Sequence, residues 1–179
     1  MSDPGPAAPP KPEFSRPMTA DKVGRDGMAV EIEAAPAERA ALARRFGLVE
    51  LGSLKARCRL RPAASGMIEL SCSFAARVTQ ECVVTLAPVQ AELAATFDLR
   101  YALDPAALPL SKEDEIDMAA DDPPEALADG AIDLGEAVAQ HLALALDPFP
   151  RAPEAAFASG GPDKTGNPFA VLAKFKPKG

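Results

Sequence analysis

The residues best suited to binding chemistry are four cations that alternate with apolar residues between Leu51 and Arg61. Successive side chains of a strand point to opposite faces, so this spacing predicts one cationic face about 20 Å long at ~3.3 Å per residue. Such groups bind nucleic-acid phosphates in a salt-dependent way. The alternative is a solvated outer strand face, partly paired with Glu69 and Glu92. The candidate phosphate contacts are Lys55, Arg57, Arg59 and Arg61.

A second candidate surface is the acidic segment, residues 104–129. It holds nine carboxylates, four prolines and one lysine, which predicts a long loop with a short helix near Glu113–Met118. Such a loop repels nucleic acid and is suited to docking a basic protein, with Ile116, Met118 and Leu127 as apolar anchors. The alternative is a loop that only keeps the chain solvated. The candidate partner contacts are Asp114, Glu115, Asp117, Asp121 and Asp122.

Catalytic chemistry finds little support in the residue types. His141 is the only histidine, and no nucleophile is spaced to pair with it. A structural zinc site needs four Cys or His ligands, whereas Cys58, Cys72 and Cys82 stand apart. The first two fall on apolar strand faces, which favours buried thiols over a disulfide. We predict no enzyme, cofactor, metal or small-molecule substrate. A Mg²⁺ site built from Asp21, Asp26 and the carboxylates at 113–122 is the open alternative.

Composition limits the class of protein. The 179 residues are 47% hydrophobic, which suits one domain with a core. Tryptophan is absent and there is one tyrosine, so stacking platforms for single-stranded nucleic acid are few. No apolar run reaches the 18 residues of a membrane helix, and the first residues do not resemble a signal peptide. We therefore expect a cytoplasmic protein with a net charge of −7.

The elements that must position these candidates read as a strand-rich domain. Alternation predicts strands near 29–34, 51–61, 67–78 and 89–101, and their spacing suggests an antiparallel meander. Residues 13–19 are a first strand or an extended edge, since Pro17 fits only an edge. Pro36 and Gly47 bound a helix with an apolar stripe of Ala40, Leu42, Ala43 and Phe46. A second helix, Leu134–Leu146, has Asp133 as cap and Glu136 as the partner of a capping box, and it ends before Pro148.

The predicted organisation is a single α+β domain. Residues 1–12 form a disordered arm, and residues 13–179 form the domain, with the acidic loop at 104–129 and a loop-rich C-terminal tail at 152–179. The fold class is a curled antiparallel sheet or partial barrel with two main helices. A last short helix follows Asn167-Pro168, with Phe169, Leu172 and Ala173 on one face.

The order of several short motifs resembles the YceD family, the large ribosomal RNA subunit accumulation proteins. The likeness runs over about residues 13–176. It implies a bacterial, non-catalytic factor in the production or accumulation of 23S ribosomal RNA. The motifs are Glu13-Phe14-Ser15-Arg16, the run Thr79–Val89 around Cys82, the helix start Ile132-Asp133-Leu134-Gly135-Glu136 with Leu142, Leu144, Leu146, Pro148 and Pro150 after it, and Asn167–Leu172.

Two departures qualify the resemblance. Many family members carry a Cys-x-x-Cys pair, but here Thr85 stands where the second cysteine would follow Cys82. Many also have a cysteine after the proline exit, where this chain has Arg151-Ala152-Pro153. A metal or redox role of such cysteines is therefore not expected here. The expected partners are ribosomal RNA and a basic ribosomal protein or processing enzyme; the alternative function is a protein-only adaptor without RNA contact.

Overall fold

An antiparallel meander forms the centre of the fold. The structure, a computed structural model, describes residues 12–103, 124–127 and 130–156. Strands β2 to β5 lie side by side in chain order, and β6 runs parallel to the end of β5. The elements are β1 (Pro17–Thr19), β2 (Met28–Glu33), α1 (Pro36–Phe46), β3 (Glu50–Ala63), β4 (Met67–Glu81), β5 (Pro88–Ala102), β6 (Glu125–Ala126), β7 (Ala131–Asp133) and α2 (Leu134–Ala145). The sheet is open, and the α+β prediction with a partly curled sheet is confirmed.

The long strands β3 and β4 divide the molecule into an inner and an outer face. Their alternation buries the apolar residues and exposes the polar ones, as the sequence predicts. A register shift between Leu51 and Ser53 marks an irregularity near the start of β3, of the kind that bends a strand. The inner rows are Leu54, Ala56, Cys58 and Leu60 on β3, and Ile68, Leu70, Cys72 and Phe74 on β4.

Helix α2 covers the inner face of the sheet. Leu134, Val138 and Leu142 are fully buried in the core that the helix shares with β4 and β5. Complete burial of each side chain of this size contributes about 1.5–3 kcal/mol. The helix ends at Ala145, one residue before the predicted end, and Leu146 has extended backbone angles.

The start of α2 is joined to the N-terminal segment. Strands β1 and β7 pair antiparallel, and the Asp133 carboxylate accepts hydrogen bonds from both parts of the chain. Its Oδ1 accepts from the N–H groups of Arg16 at 2.7 Å, Gly135 at 3.0 Å and Glu136 at 3.1 Å. Its Oδ2 accepts from the Ser15 hydroxyl at 2.6 Å. The predicted cap is therefore confirmed, and it also fixes the N-terminal segment.

Gly135 and Glu136, whose N–H groups the Asp133 cap binds, also contact other parts of the chain. A Cβ on Gly135 would lie 2.1 Å from the carbonyl oxygen of Phe14, so no other residue fits there without a shift of the backbone. The predicted capping box with Glu136 is wrong, because that carboxylate binds the Arg45 guanidinium instead, with distances of 2.8 and 2.9 Å. The pair links α2 to α1.

Helix α1 packs against the first half of β3. It begins at Pro36, as predicted, and Gly47 ends it in the left-handed region at a φ of 65°. Leu42 and Ala43 are buried. Ala40, which the apolar stripe included, is exposed. The prediction that Ala40 belongs to the apolar stripe was therefore wrong. Helical spacing predicts which residues share a face of the helix, but not how much of that face the sheet covers.

The cysteine prediction was wrong for one pair. Cys58 and Cys72 lie directly opposite each other on β3 and β4, with Cα atoms 4.2 Å apart, and they form a disulfide. The sequence of a single strand shows which face each cysteine is on, but not the register that brings the two together. Disulfides are rare in reducing compartments, where this bond would be reduced and the two sulfurs would move apart as thiols. Cys82 is free and buried.

Several predictions concern residues outside the described ranges. They are the arm up to residue 11, the helix near Glu113–Met118, the helix after Asn167 and most of the C-terminal tail. Within the described ranges, no helix is long and apolar enough to cross a membrane.

Candidate functional site

Strand β3 places the four candidate cations on the outer face of the sheet. Lys55, Arg57, Arg59 and Arg61 are all exposed, and the residues between them are buried or face inward. The shared face therefore exists as the spacing predicts. Its electrostatics depend on which side chains the neighbouring strands place beside it.

Strand β2 supplies acids to one half of this row. Lys55 Nζ lies 3.3 Å from a carboxylate oxygen of Glu33, and Arg57 Nε donates to Glu31 Oε1 at 2.9 Å. The register of β2 and β3 sets these pairs, since Glu33 faces Lys55 and Glu31 faces Arg57. Exposed pairs of this kind contribute only ~0–1 kcal/mol to stability. They do, however, reduce the positive charge available to a phosphate.

The other half of the row, Arg59 and Arg61, is not paired with acids in the described part of the chain. Arg59 lies between Ala29 of β2 and Ser71 of β4, neither of which carries charge. Glu69 faces Arg61 in register, but within the described part of the chain no ion pair forms at either arginine. We call Arg59 and Arg61 the open cations.

The remaining outer face carries both signs of charge. Glu69 and Arg77 project from β4, and Glu92, Asp98 and Arg100 project from β5. Glu92 faces Arg77 and is two strands away from β3, so the predicted pairing of the β3 cations with Glu92 is wrong. Glu31 and Glu33 perform that role instead. Their alternation in the sequence marked them as outward-facing, but only the register shows which cations they meet.

The acidic segment is attached at the end of the sheet that holds the open cations. On one side, the N–H of Leu103 donates to the Gly66 carbonyl at 3.0 Å. On the other side, β6 pairs with the last two residues of β5. The partner-contact candidates, Asp114, Glu115, Asp117, Asp121 and Asp122, lie outside the described residues. Leu127 is buried in the core, so the prediction that it anchors a partner is wrong.

A tight turn encloses Cys82 where β4 ends. The Cys82 N–H donates to the Ala87 carbonyl at 2.8 Å, and the Val83 N–H donates to the Pro150 carbonyl at 2.9 Å. The Ala152 N–H lies 3.3 Å from the sulfur. Hydrogen bonds from the Thr85 side chain and then from this N–H lower the pKa of the Cys82 thiol to about 6. These hydrogen bonds favour the thiolate form of Cys82 over the thiol.

Neither a catalytic pair nor a metal cluster is found in the described ranges. His141 stacks on Phe97 with ring centroids 3.6 Å apart, and its Nδ1 donates to the Ala137 carbonyl at 2.9 Å. The ring is thus used for packing. No group of three or more His, Cys, Asp or Glu in those ranges could hold a metal ion.

The comparison with protein families identifies the relationship. Residues 70–176, more than half of the chain, match the family described as large ribosomal RNA subunit accumulation protein YceD. The chain belongs to the YceD family. No curated protein and no solved structure matches it. Membership of the YceD family supports a general role in the accumulation of ribosomal RNA.

The limits of the YceD match matter for the candidate surfaces. The match begins within β4, so it includes the Cys82 turn, the acidic segment and α2. It does not include β3, which carries the cations, or the opening Glu13–Arg16. The family match therefore covers the acidic segment but not the cationic face of β3.

Proposed function

We propose that this YceD protein is a non-catalytic factor in large ribosomal subunit biogenesis in the bacterial cytoplasm, where it supports production or accumulation of 23S ribosomal RNA. The observation that supports this most directly is the family match over residues 70–176. The described residues add a sheet with an exposed, polar outer face, on which a binding surface can be built.

The open cations are the proposed RNA contact. Arg59 and Arg61 retain donors for phosphate oxygens, and guanidinium groups bind phosphates in a bidentate manner. Lys55 and Arg57 contribute less, because a phosphate must compete with Glu33 and Glu31 for them. The proposed interface is thus concentrated at the end of β3 near the Asp26-Gly27 turn, where Gly27 lies against the Arg61 side chain.

The acidic segment is the proposed contact for a basic ribosomal protein or processing enzyme. Its carboxylates would speed encounter by electrostatic steering. Both described attachment points of the segment lie at the same end of the sheet as Arg61, because Ala63 faces Met67 and Met67 faces Ala102. An RNA on the open cations and a basic protein on the acidic segment would then be neighbours. This arrangement would help the protein to bring the RNA and the basic protein together.

A protein-only adaptor is the second candidate function. Two observations favour it: half of the cationic row is paired with acids, and β3 lies outside the family match. In this case the acidic segment is the functional surface, and the outer face of the sheet is only solvated.

Salt-dependent RNA binding distinguishes the two functions. The binding constant for precursor large-subunit RNA is measured over a salt series for the parent and for Arg59→Gln/Arg61→Gln. If both arginines contact phosphates, the negative slope of log K against log salt should be shallower by about 2 in this variant. The matched control, Lys55→Gln/Arg57→Gln, should lower the slope less. Equal slopes in all three proteins, or no RNA binding by the parent, would favour the adaptor.

The acidic segment has its own test. A variant with its five candidate carboxylates changed to Asn or Gln should capture less basic ribosomal protein than the parent, and the loss should be largest at low salt. Arg59→Gln/Arg61→Gln serves as the control that leaves this segment unchanged. If the variant captures the same proteins in the same amounts, and large-subunit RNA stays normal in cells, the segment is a solvated spacer.

A further inference from the structure

In the described part of the chain, strand β5 has a long edge without a partner strand. It has 15 residues, and β4 pairs with it along its whole length on one side. On the other side, β6 pairs only with Tyr101 and Ala102, so within the described ranges no strand lies beside Pro88–Arg100. Pro124, which precedes β6, has no N–H to extend that pairing. An open edge of this length is a template for a further strand.

Apolar side chains beside this edge are incompletely covered. The inner row of β4 is buried, but the neighbouring row of β5 is only half-buried over its first half. Leu144 of α2 is 81% exposed. The half-buried residues are Val89, Ala91, Leu93 and Ala95.

The direction of α2 places Leu144 near the middle of the edge. His141 of α2 stacks on Phe97 of β5. After the helix, the Asp147 carbonyl accepts from Gln80, whose partner in register is Val89. The helix therefore runs along β5 from the level of Phe97 toward that of Val89. Leu144, about one turn beyond His141, lies between these levels.

We infer that a second copy of this chain pairs with the β5 edge, antiparallel and about a two-fold axis at Ala94. In this register Pro88 of one copy faces Arg100 of the other. A two-fold contact presents the same patch on both copies. The paired β5 strands then join the two sheets into one. The half-buried rows and the two Leu144 side chains come together across the axis.

The side-chain pattern of β5 fits this register. Glu92 faces Thr96 and Gln90 faces Asp98, so no like charges meet. On the inner face, Leu93 faces Ala95. An axis at Ala95 would instead place Glu92 opposite Asp98, and like charges directly opposite each other destabilise a strand pair. An axis between two residues would place the inner face of one copy beside the outer face of the other.

The first test is the molar mass in solution. Light scattering after size-exclusion chromatography, over a concentration series of the full chain, should approach twice 18.6 kDa for the parent. Ala94→Glu places two carboxylates on the axis and should raise the dimer dissociation constant at least about tenfold. The control is Ala75→Glu: Ala75 is exposed on the same outer face and lies opposite Ala94 in register, but on β4, away from the edge.

Two further variants keep the result interpretable if Ala94→Glu weakens folding. Ala94→Lys alone should also be monomeric, and mixing it with Ala94→Glu should restore a dimer, since opposite charges then meet at the axis. Ala94→Cys should form a disulfide-linked dimer under a mild oxidant such as copper phenanthroline, whereas Ala75→Cys should not. A monomeric parent at every concentration, a dimer unaffected by Ala94→Glu, or equal cross-linking of the two cysteine variants would overturn the inference.

Discussion

Replacing Asp133 with alanine tests the joint between the N-terminal segment and α2. The change removes one carboxylate that accepts four hydrogen bonds, two from the first turn of α2 and two from residues more than 100 positions away in the chain. Loss of a helix cap alone costs about 0.5–2 kcal/mol. The structure predicts a larger effect than that, because the same side chain serves both elements.

The magnitude follows from the individual contacts. A cap at about 1 kcal/mol and two hydrogen bonds to a charged group at about 1.5 kcal/mol each sum to about 4 kcal/mol. Three of the four donors share Oδ1, so the contributions are not independent, and we expect a loss of about 3–4 kcal/mol. That would be a large fraction of the ~5–15 kcal/mol by which a domain is usually stable.

Two milder variants separate the contributions at this joint. Asp133→Asn keeps an acceptor at the Oδ1 position and should lose about 1 kcal/mol, and Ser15→Ala should lose about as much by removing one donor. The free energy of unfolding is measured by urea titration with far-ultraviolet circular dichroism. A loss below about 1 kcal/mol for Asp133→Ala, or equal losses for the Ala and Asn variants, would refute this account of the joint.

Three other changes test the core, an ion pair and the thiol. Leu142→Ala should lower the unfolding free energy by about 2–5 kcal/mol, since Leu142 is fully buried, whereas exposed Val49→Ala should change it by at most ~0.5 kcal/mol. The Arg45 pair lowers the pKa of Glu136 in the folded state, so its stabilisation is lost as pH falls below the usual glutamate value of 4.5; Arg45→Gln should show a smaller acid loss, by about 0.5 kcal/mol. Folding lowers the pKa of Cys82 from 9.0 to about 6, so the parent should gain stability as pH rises between these values, and Cys82→Ala should not.

Sequence alternation was sufficient to predict the long strands β3, β4 and β5 and their faces. A strand has a side-chain period of two, and the patterns of β3, β4 and β5 are long and regular, so each residue's side could be assigned from the chain alone. The ends of α1 followed from Pro36 and Gly47, which act on the local backbone. These properties depend on neighbours in sequence, which is why they were accessible.

Register and long-range pairing were not accessible in this way. The disulfide between Cys58 and Cys72 and the pairing of Arg57 with Glu31 both depend on which residues of two strands stand opposite each other. The Asp133 cap was visible as a local signal, but its bonds to the N-terminal segment were not. The sequence therefore predicted that the four cations share one face, but which of them meet acids depends on the neighbouring strand.

The order of elements along the chain has a consequence during synthesis. The four strands of the meander, β2 to β5, are complete in sequence at Ala102, but α2, which covers their inner face, begins only at Leu134 and ends at Ala145. Synthesis of the 43 residues from Leu103 to Ala145 takes roughly 2–9 s at ~5–20 residues per second. The apolar face of the nascent sheet is uncovered for that time, so we expect stalled chains ending near residue 120 to bind chaperones more strongly than the complete chain.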